Sequence, residues 1–431
     1  MARKHRPSGP VPVPDALRER LFLQFGSEAE QLLAALDTAS PVSIRLNPDK
    51  AGGPEGLPVP WCATGRYLSE RPVFTLDPLF HAGCYYVQEA SSMLLEQAFL
   101  ASGLAGKNIA AADLCAAPGG KSTHLATLLG PGSLLVSNEV DRRRQKALLE
   151  NLWKWGREGH VITGDAPERF AALGPQFDLV VVDAPCSGEG MMRKDPFARQ
   201  QWSPALVKQC ANTQRDILRH AWDMLKPGGV LIYSTCTWSE EEDDGSLARL
   251  VNEEKAEPIV LPALAETGLH RSNFGLLALP HRVTGEGFFI GALRKPGVRS
   301  EPVGTSAGME EIVHADTLHH VPSAWASTVR LLANGLRVLS AGTPISSAGP
   351  DGGPLPHAAS AYLNKPVVGV EDLEVDLPQA LTFLRGEVLR DDAPSGQYRR
   401  ITHQGFGLGF VRGAGNRWNN LLPAEWRIRM R

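Results

Sequence analysis

The chain has 431 residues, 43% of them hydrophobic, and a formal net charge of −3. That length exceeds one ordinary domain, and the composition is that of a globular protein without the run of about 18 apolar residues that a membrane helix needs. The basic start, Met1 to Arg6, runs into Pro and Val instead of an apolar helix, so a cytoplasmic protein without a secretion signal is expected.

Apolar positions at helical spacing predict a helix over 13–36, a short strand over 43–47 stopped by Pro48, and a second helix over 87–103. The rhythm then changes. Short apolar strands are predicted at 109–115, 133–138, 161–163, 177–183 and 230–234, with helices at 121–129, 141–155 and 204–225 between them. Strands alternating with helices imply an α/β, doubly wound parallel sheet. A further apolar strand at 287–293 closes this region, and 296–310, rich in Pro, Gly and Ser, reads as a linker. Beyond it lie short strands at 336–339, 367–370, 398–402 and 408–411 and a helix at 378–383. No solenoid repeat is present.

The stretch Asp113-Leu-Cys-Ala-Ala-Pro-Gly-Gly-Lys121 falls where the first sheet strand becomes the first helix. Glycines there let a backbone approach a ligand and leave helix amides free for an anion. The pattern is not GxGxxG, and Pro118 removes a donor, so a carboxylate suits the turn better than a pyrophosphate. The methionine end of S-adenosylmethionine carries one. Cys115, Ala116, Ala117, Pro118, Gly119, Gly120 and Lys121 are therefore candidate cofactor residues. Glu139, twenty positions after Gly119, stands where an acid holds ribose hydroxyls, and Asp165 after the third strand could face the adenine.

Six cysteines are present, none two or four residues apart, so neither a zinc-type pair nor a disulfide framework is expected, and no metal. Two of them stand out. The fourth strand runs into Asp183-Ala-Pro-Cys186-Ser-Gly-Glu-Gly190 and the fifth into Tyr233-Ser-Thr-Cys236-Thr237. Each places a thiol on the ligand edge of the sheet in a polar turn. The acidic run 240–244 reads as the N-terminal turn of a helix, not a metal site.

CAAPGGK, DAPCSGEG and STCTWSEEE, in that order, resemble the signatures of the Sun-type family of RNA 5-methylcytosine methyltransferases. The likeness runs over about 40–295 and takes in Tyr86-Val-Gln-Glu-Ala-Ser-Ser92 and Gly285-Glu-Gly-Phe-Phe289. Phe383-Leu-Arg-Gly-Glu387, Gly407-Leu-Gly-Phe410 and Gly415-Asn-Arg-Trp-Asn-Asn420 resemble the C-terminal, PUA-like portion of the bacterial small-subunit ribosomal RNA methyltransferases of type F. The resemblance implies a Rossmann-like methyltransferase core between a small N-terminal α+β domain and a C-terminal PUA-like α+β domain. It also implies transfer of a methyl group from S-adenosylmethionine to carbon 5 of a cytosine in RNA, with small-subunit (16S) ribosomal RNA the first expectation. In that scheme Cys236 adds to carbon 6 of the base, Asp183 bonds to ring nitrogen 3 and the amino group beside the cofactor, and Cys186 assists release. Arg193 and Lys194 would hold flanking phosphates, and Lys121 could serve either cofactor or base.

The expected organisation is 1–95 for an N-terminal RNA-contacting domain, 96–295 for the methyltransferase domain, 296–310 for the linker and 311–431 for the PUA-like RNA-binding region. Seven arginines and one glutamate give residues 398–431 a charge of +6, against −3 for the whole chain. Arg412 and Arg417 are candidate RNA contacts there. The expected partner is ribosomal RNA or the small subunit, with no membrane and a monomeric protein. A transfer-RNA enzyme of the same family and an inactive RNA-binding assembly factor remain alternatives. A DNA enzyme would carry its nucleophile in a Pro-Cys motif alone, and the missing GxGxxG disfavours an oxidoreductase.

Overall fold

The computed structural model describes residues 11–262, 267–299, 308–347 and 369–430. Two helices open it, α1 (Asp15–Phe25) and α2 (Glu28–Ala35), where the periodicity predicted one. Gly26, with a φ of 59°, divides them. An antiparallel sheet follows: β1 (Val42–Leu46), β2 (Leu57–Val59), β3 (Cys62–Leu68) and, after α3 (Pro78–His81), β4 (Tyr85–Val87), in the order β2-β3-β1-β4. The helix expected over 87–103 shortens to α4 (Leu95–Ala101). Glu89 ends the extended stretch by accepting the amides of Ser91 (2.9 Å) and Ser92 (3.0 Å).

The central layer runs β5 (Ala110–Asp113), α5 (Gly120–Leu128), β6 (Leu134–Asn138), α6 (Arg142–Trp155), β7 (His160–Thr163), α7 (Pro167–Ala171), β8 (Phe177–Asp183), α8 (Phe197–Gln201), α9 (Pro204–Met224) and β9 (Leu225–Thr235). Then come α10 (Asp244–Glu254), the short strands β10 (Glu257–Pro258) and β11 (His270–Arg271), β12 (Gly275–Ala278) and β13 (Phe288–Arg294). The helices begin where the sequence supplies caps. Asp141 accepts from the Arg143 amide at 2.8 Å, and Ser203, before Pro204, accepts from Leu206 at 3.1 Å.

The five strands β5 to β9 are parallel in the order β9-β8-β5-β6-β7, and β13 closes antiparallel on β9. This is the doubly wound arrangement that the alternation predicted. The chain leaves β5 in one direction and returns to β8 on its other side, so the sheet changes direction between Asp113 and Asp183. Crevices at such points bind ligands. Successive residues of β8 face opposite cores. Val180 and Val182 join Leu17, Leu21 and Leu32 of the first two helices and Trp222 of α9, while Leu179 and Val181 join Leu95 and Phe99 of α4.

The C-terminal part divides. A three-stranded sheet of β14 (Met309–His314), β15 (Thr317–Pro322) and β17 (Thr343–Ser347) accompanies α11 (Ala326–Gly335) and β16 (Val338–Ser340). Val321, Trp325 and Val329 of this segment pack into the central core, and β16 pairs antiparallel with β7. The strand expected over 336–339 therefore forms in the central sheet, at 338–340. The second part holds β18 (Glu371–Glu374), α12 (Leu377–Leu384), β19 (Tyr398–His403), β20 (Phe406–Gly413) and β21 (Trp418–Asn420), a four-stranded sheet in chain order. Its Phe383, Ile401 and Val411 share a core with Ile44, Cys84 and Tyr85 of the N-terminal sheet. Residues of the N-terminal sheet thus pack with the C-terminal sheet, while Leu17, Leu21 and Leu32 of α1 and α2 pack into the central core. The expected strand at 367–370 lies partly outside the described residues, as does the linker, whose residues 300–307 are not described. Among the described residues no helix is long and apolar enough to cross a membrane.

Candidate active site at the carboxyl edge of the central sheet

The turn after β5 is fixed from behind. Ala116 donates its amide to the Asn138 carbonyl (2.8 Å), Asn151 donates to the Pro118 carbonyl (2.8 Å), and the Arg144 guanidinium donates to the Ala117 carbonyl. Gly119 holds a φ of 116°, a conformation that favours glycine, and a Cβ there would sit only 3.3 Å from that of Asn151. The first α5 amides after it have no carbonyl partner in the helix, until the Thr123 amide bonds the Gly119 carbonyl at 2.8 Å. Arg45 braces the turn from the N-terminal sheet. Its buried guanidinium lies over Trp155 (4.3 Å) and donates to Gln88 (2.8 Å) and Thr123 (2.5 Å).

Three acids border this turn. Asp113 is fully buried, and Ser122 donates to its Oδ2 at 2.7 Å, while Oδ1 has no hydrogen-bond partner. Burial, disfavouring the charged form, pushes its carboxyl up to about 7. Glu139 ends β6 and accepts from the Asp141 amide through Oε1 (2.9 Å). Its buried Oε2 has Arg144 Nη1 at 3.1 Å but no aligned donor. A buried carboxylate oxygen without a donor fits a ligand that offers hydroxyls. Asp165 follows β7, and its Oδ2 accepts the backbone amide of Arg337.

On the other side of the switch point, Asp183 and Ser234 stand opposite each other on the neighbouring parallel strands β8 and β9, and Ser234 donates to Asp183 Oδ1 at 2.8 Å. The turns that leave these strands bring Cys186 and Cys236 together, with their Sγ atoms 3.0 Å apart and the Cys236 amide 3.3 Å from Cys186 Sγ. Both cysteines are free. The hydrogen bond with Cys236, then burial, hold the Cys186 thiol well above its ordinary value. Lys121 reaches across from α5 to pair with Asp183 Oδ2 (2.7 Å), its ammonium 4.9 Å from the Phe288 ring centre. Asp183 keeps 36% of its side chain exposed, so it opens onto the crevice. Glu189 and Glu242 hold the cysteine turns. Glu189 accepts from the Trp238 amide (3.2 Å) and Arg20 (2.6 Å), and Glu242 from the Ser187 amide (2.9 Å) and Gln214 (2.9 Å). The run 240–244 does lead into a helix, with Asp244 as its first residue, and Glu242 is spent on the site.

The family model for the 16S rRNA methyltransferases RsmB/F matches residues 105–294. Those for the N-terminal domain of 16S rRNA methyltransferase RsmF and for the RsmF PUA domain match 13–90 and 370–428. The ribosomal RNA small subunit methyltransferase F of Aliivibrio salmonicida is 32% identical over 407 residues, 85% of each chain. The chain belongs to the ribosomal RNA small subunit methyltransferase F family. The Serratia proteamaculans member is similar to it at 32% identity over 85% of this chain and 84% of its own. A solved methyltransferase homolog from Pyrococcus horikoshii, 26% identical, superimposes with a TM-score of 0.57 over 65% of this chain and 95% of its own. As a member of this family the protein is an S-adenosylmethionine-dependent RNA methyltransferase with a Rossmann-like core and a C-terminal PUA domain. The glycine turn and the unsatisfied Glu139 oxygen fit that cofactor.

The candidate RNA residues of this family member fare unequally. Arg193 is withdrawn from solvent. Its side chain is 5% exposed and pairs with Glu286 at 2.9 Å, so it is not offered to a phosphate; Lys194 beside it is exposed. In the C-terminal sheet Arg400 forks onto Asp372 (2.7 and 2.6 Å), Arg399 pairs with Glu371, and Arg427 donates to the Leu422 carbonyl (3.1 and 3.0 Å). Arg412, over the Tyr398 ring, and Arg417, bonded to Asn419, are exposed.

A buried cluster has no sequence signal. Cys62, Glu96 and His124 converge with ligand atoms within 4.8 Å of one another. Burial drives His124 down to about 4 and Cys62 up to about 12, so both are neutral. Glu96 bonds to His124 (3.2 Å) and accepts the Ala63 amide (3.1 Å), with buried Arg45 nearby to balance its charge. The cluster ties β3 and α4 to α5 as a hydrogen-bonded knot.

Proposed function

We propose that this enzyme methylates carbon 5 of a cytosine in 16S ribosomal RNA through a covalent adduct on Cys236. The observation that carries the reading is the pair of thiols 3.0 Å apart beside the Lys121–Asp183 ion pair. A second thiol in contact with the nucleophile is placed to take part in its expulsion. Bound S-adenosylmethionine supplies an electrophilic methyl group. Carbon 5 of cytosine is a poor nucleophile, and attack of the Cys236 thiolate on carbon 6 turns the ring into an enamine that is a good one. The electron pair moves toward ring nitrogen 3. There the Asp183 carboxyl, held by Ser234 and Lys121, receives the amino group and brings the Lys121 charge close. After transfer, water in the open crevice takes the carbon 5 proton, which restores the ring double bond and breaks the carbon–sulfur bond. Cys186, kept protonated by its surroundings, hands a proton to the departing sulfur.

The target base leaves its stack to enter the crevice. Lys194, Arg412 and Arg417 guide the RNA, with Arg193 acting only on its neighbours. The family names favour ribosomal over transfer RNA. The same reading makes the protein a cytoplasmic monomer that acts on ribosomal RNA or the small subunit. Bisulfite sequencing of 16S RNA incubated with the enzyme and S-adenosylmethionine tests it. A new protected cytosine is expected, and methyl incorporation without one would overturn the carbon 5 assignment.

A further inference from the structure

Between the ranges matched at 105–294 and 370–428 lies a segment that the fold lays against the cofactor side of the crevice. Its strand β16 pairs antiparallel with β7, Val338 opposite Thr163 and Ser340 opposite Ile162, so it becomes the last strand at that edge of the central sheet. The contacts at the carboxyl end of β7 are dense. Gly164 donates its amide to the Arg337 carbonyl (3.0 Å), and the Arg337 guanidinium donates back to the Gly164 carbonyl through Nε (3.2 Å) and Nη2 (3.0 Å). The Arg337 amide donates to Asp165 Oδ2, and Arg169 Nε stands 3.7 Å from Oδ1. Arg337 and Gln145 leave no room for a Cβ at Gly164. One step further along, half-buried Leu339 packs into the small apolar cluster of Ala116, Ala117, Leu148, Leu152 and Ile162. That cluster contains two residues of the glycine turn itself.

We propose that residues 336–341 are a strap that completes the adenine side of the S-adenosylmethionine site, with Arg337 and Leu339 as positioning residues for Asp165 and for the Ala116–Ala117 turn. Two independent arms support it. The Arg337 backbone amide sets the direction of the Asp165 carboxylate, and the guanidinium holds the path of the loop before it through the Gly164 carbonyl. Leu339 packs on the apolar cluster that includes Ala116 and Ala117 of the turn, whose Ala117 and Pro118 carbonyls are already tied to Arg144 and Asn151. A strand that served only to lengthen the sheet would need neither the side-chain clamp on Gly164 nor an apolar residue on the cluster that includes Ala116 and Ala117. The strap also gives the segment a reason to be where it is. A three-stranded sheet and α11, packed on the core through Trp325 and Val329, anchor it on both sides.

The inference rests on the cofactor and not on the carbon 5 chemistry, so it can fail or stand separately from that reading. The test uses the full chain and S-adenosylhomocysteine as probe, with titration calorimetry on the wild type first. Arg337→Ala, which removes the clamp on Gly164 but keeps the amide to Asp165, and Leu339→Ala are each expected to raise its dissociation constant by roughly tenfold, because second-layer supports set the geometry of the groups they hold. Leu339→Ile should restore most of the loss. The Michaelis constant for S-adenosylmethionine should rise while kcat and RNA affinity stay within about twofold of wild type. Dissociation constants unchanged in both alanine variants would overturn the proposal. So would an equal loss of S-adenosylhomocysteine and RNA binding together with early unfolding, since that result makes the strap a stabiliser of the whole core.

Discussion

The carboxyl edge of the central sheet and the C-terminal sheet were both singled out by short sequence features, and they treat those features differently. At the sheet edge, residues of one type stay of one kind: Cys186 and Cys236, from turns fifty positions apart, meet at 3.0 Å. In the C-terminal sheet, residues of one type are sorted. Arg399 and Arg400 are spent on Glu371 and Asp372, Arg427 on a carbonyl, and Arg412 and Arg417 remain at the surface. Strand ends are fixed by backbone pairing, so a motif that follows a buried strand has one destination. Long charged side chains choose among partners that the sequence does not place next to them.

The largest expected effect lies at the edge. Cys236→Ala should lower methyl transfer by roughly a thousandfold or more, because a lost nucleophile removes the covalent route entirely. S-adenosylhomocysteine binding should persist, and turnover near wild type would exclude Cys236 as nucleophile. Cys186→Ala should also end turnover, but for the opposite reason. Attack continues and release fails, so labelled RNA should run as a slow covalent band on a denaturing gel. If that band never forms and activity is lost, the roles of the two cysteines are reversed.

The C-terminal sheet is expected to answer in smaller steps, and in two different ways. Arg412→Ser with Arg417→Ser should weaken RNA binding and flatten its salt dependence by roughly 1.5, at about 0.7–0.9 per phosphate contact. Thermal stability should hardly move. Arg400→Ala should do the reverse. Arg400 is 3% exposed but Asp372 is 44% exposed, so losing the fork costs about 1–2 kcal/mol of stability with the salt slope unchanged. Equal behaviour of the two variants would erase the distinction between sorted and unsorted arginines.

A pH-dependent effect concerns Asp113. Its carboxyl sits at about 7 in the folded protein against an ordinary 3.8, through burial. The protonated form is therefore favoured by folding. The associated stability is complete below the ordinary value and lost as the pH rises through about 7. Asp113→Asn should remove that loss, so its melting temperature relative to wild type should climb from about pH 5 to about pH 8. A flat difference across that range would mean that Asp113 is ionised throughout.

Much of this protein was legible without coordinates, and for a local reason. The strands from β5 to β9 are short apolar runs bounded by turns. The helix caps Asp141 and Ser203 lie beside the residues they cap, and the glycine turn carries its function in its own backbone. Cys186, Cys236, Asp183 and Glu139 could be named because each ends such a run. What the sequence could not decide was set by contacts between distant segments. Gly26 divides a helix whose apolar spacing continues across it. Arg193 was expected at the surface but is buried by Glu286, 93 positions away. The partner of Lys121 could not be read from the sequence, and the fold sets Asp183 2.7 Å from it. Arg45 and the strap at 336–341 had no motif at all, because their effect on the cofactor turn passes through a sheet and a strand that join it only in three dimensions. Periodicity and turn chemistry act over a few residues and can be read in order. Charge pairing, shared cores and sheet edges depend on which surfaces meet, and only the folded chain decides that.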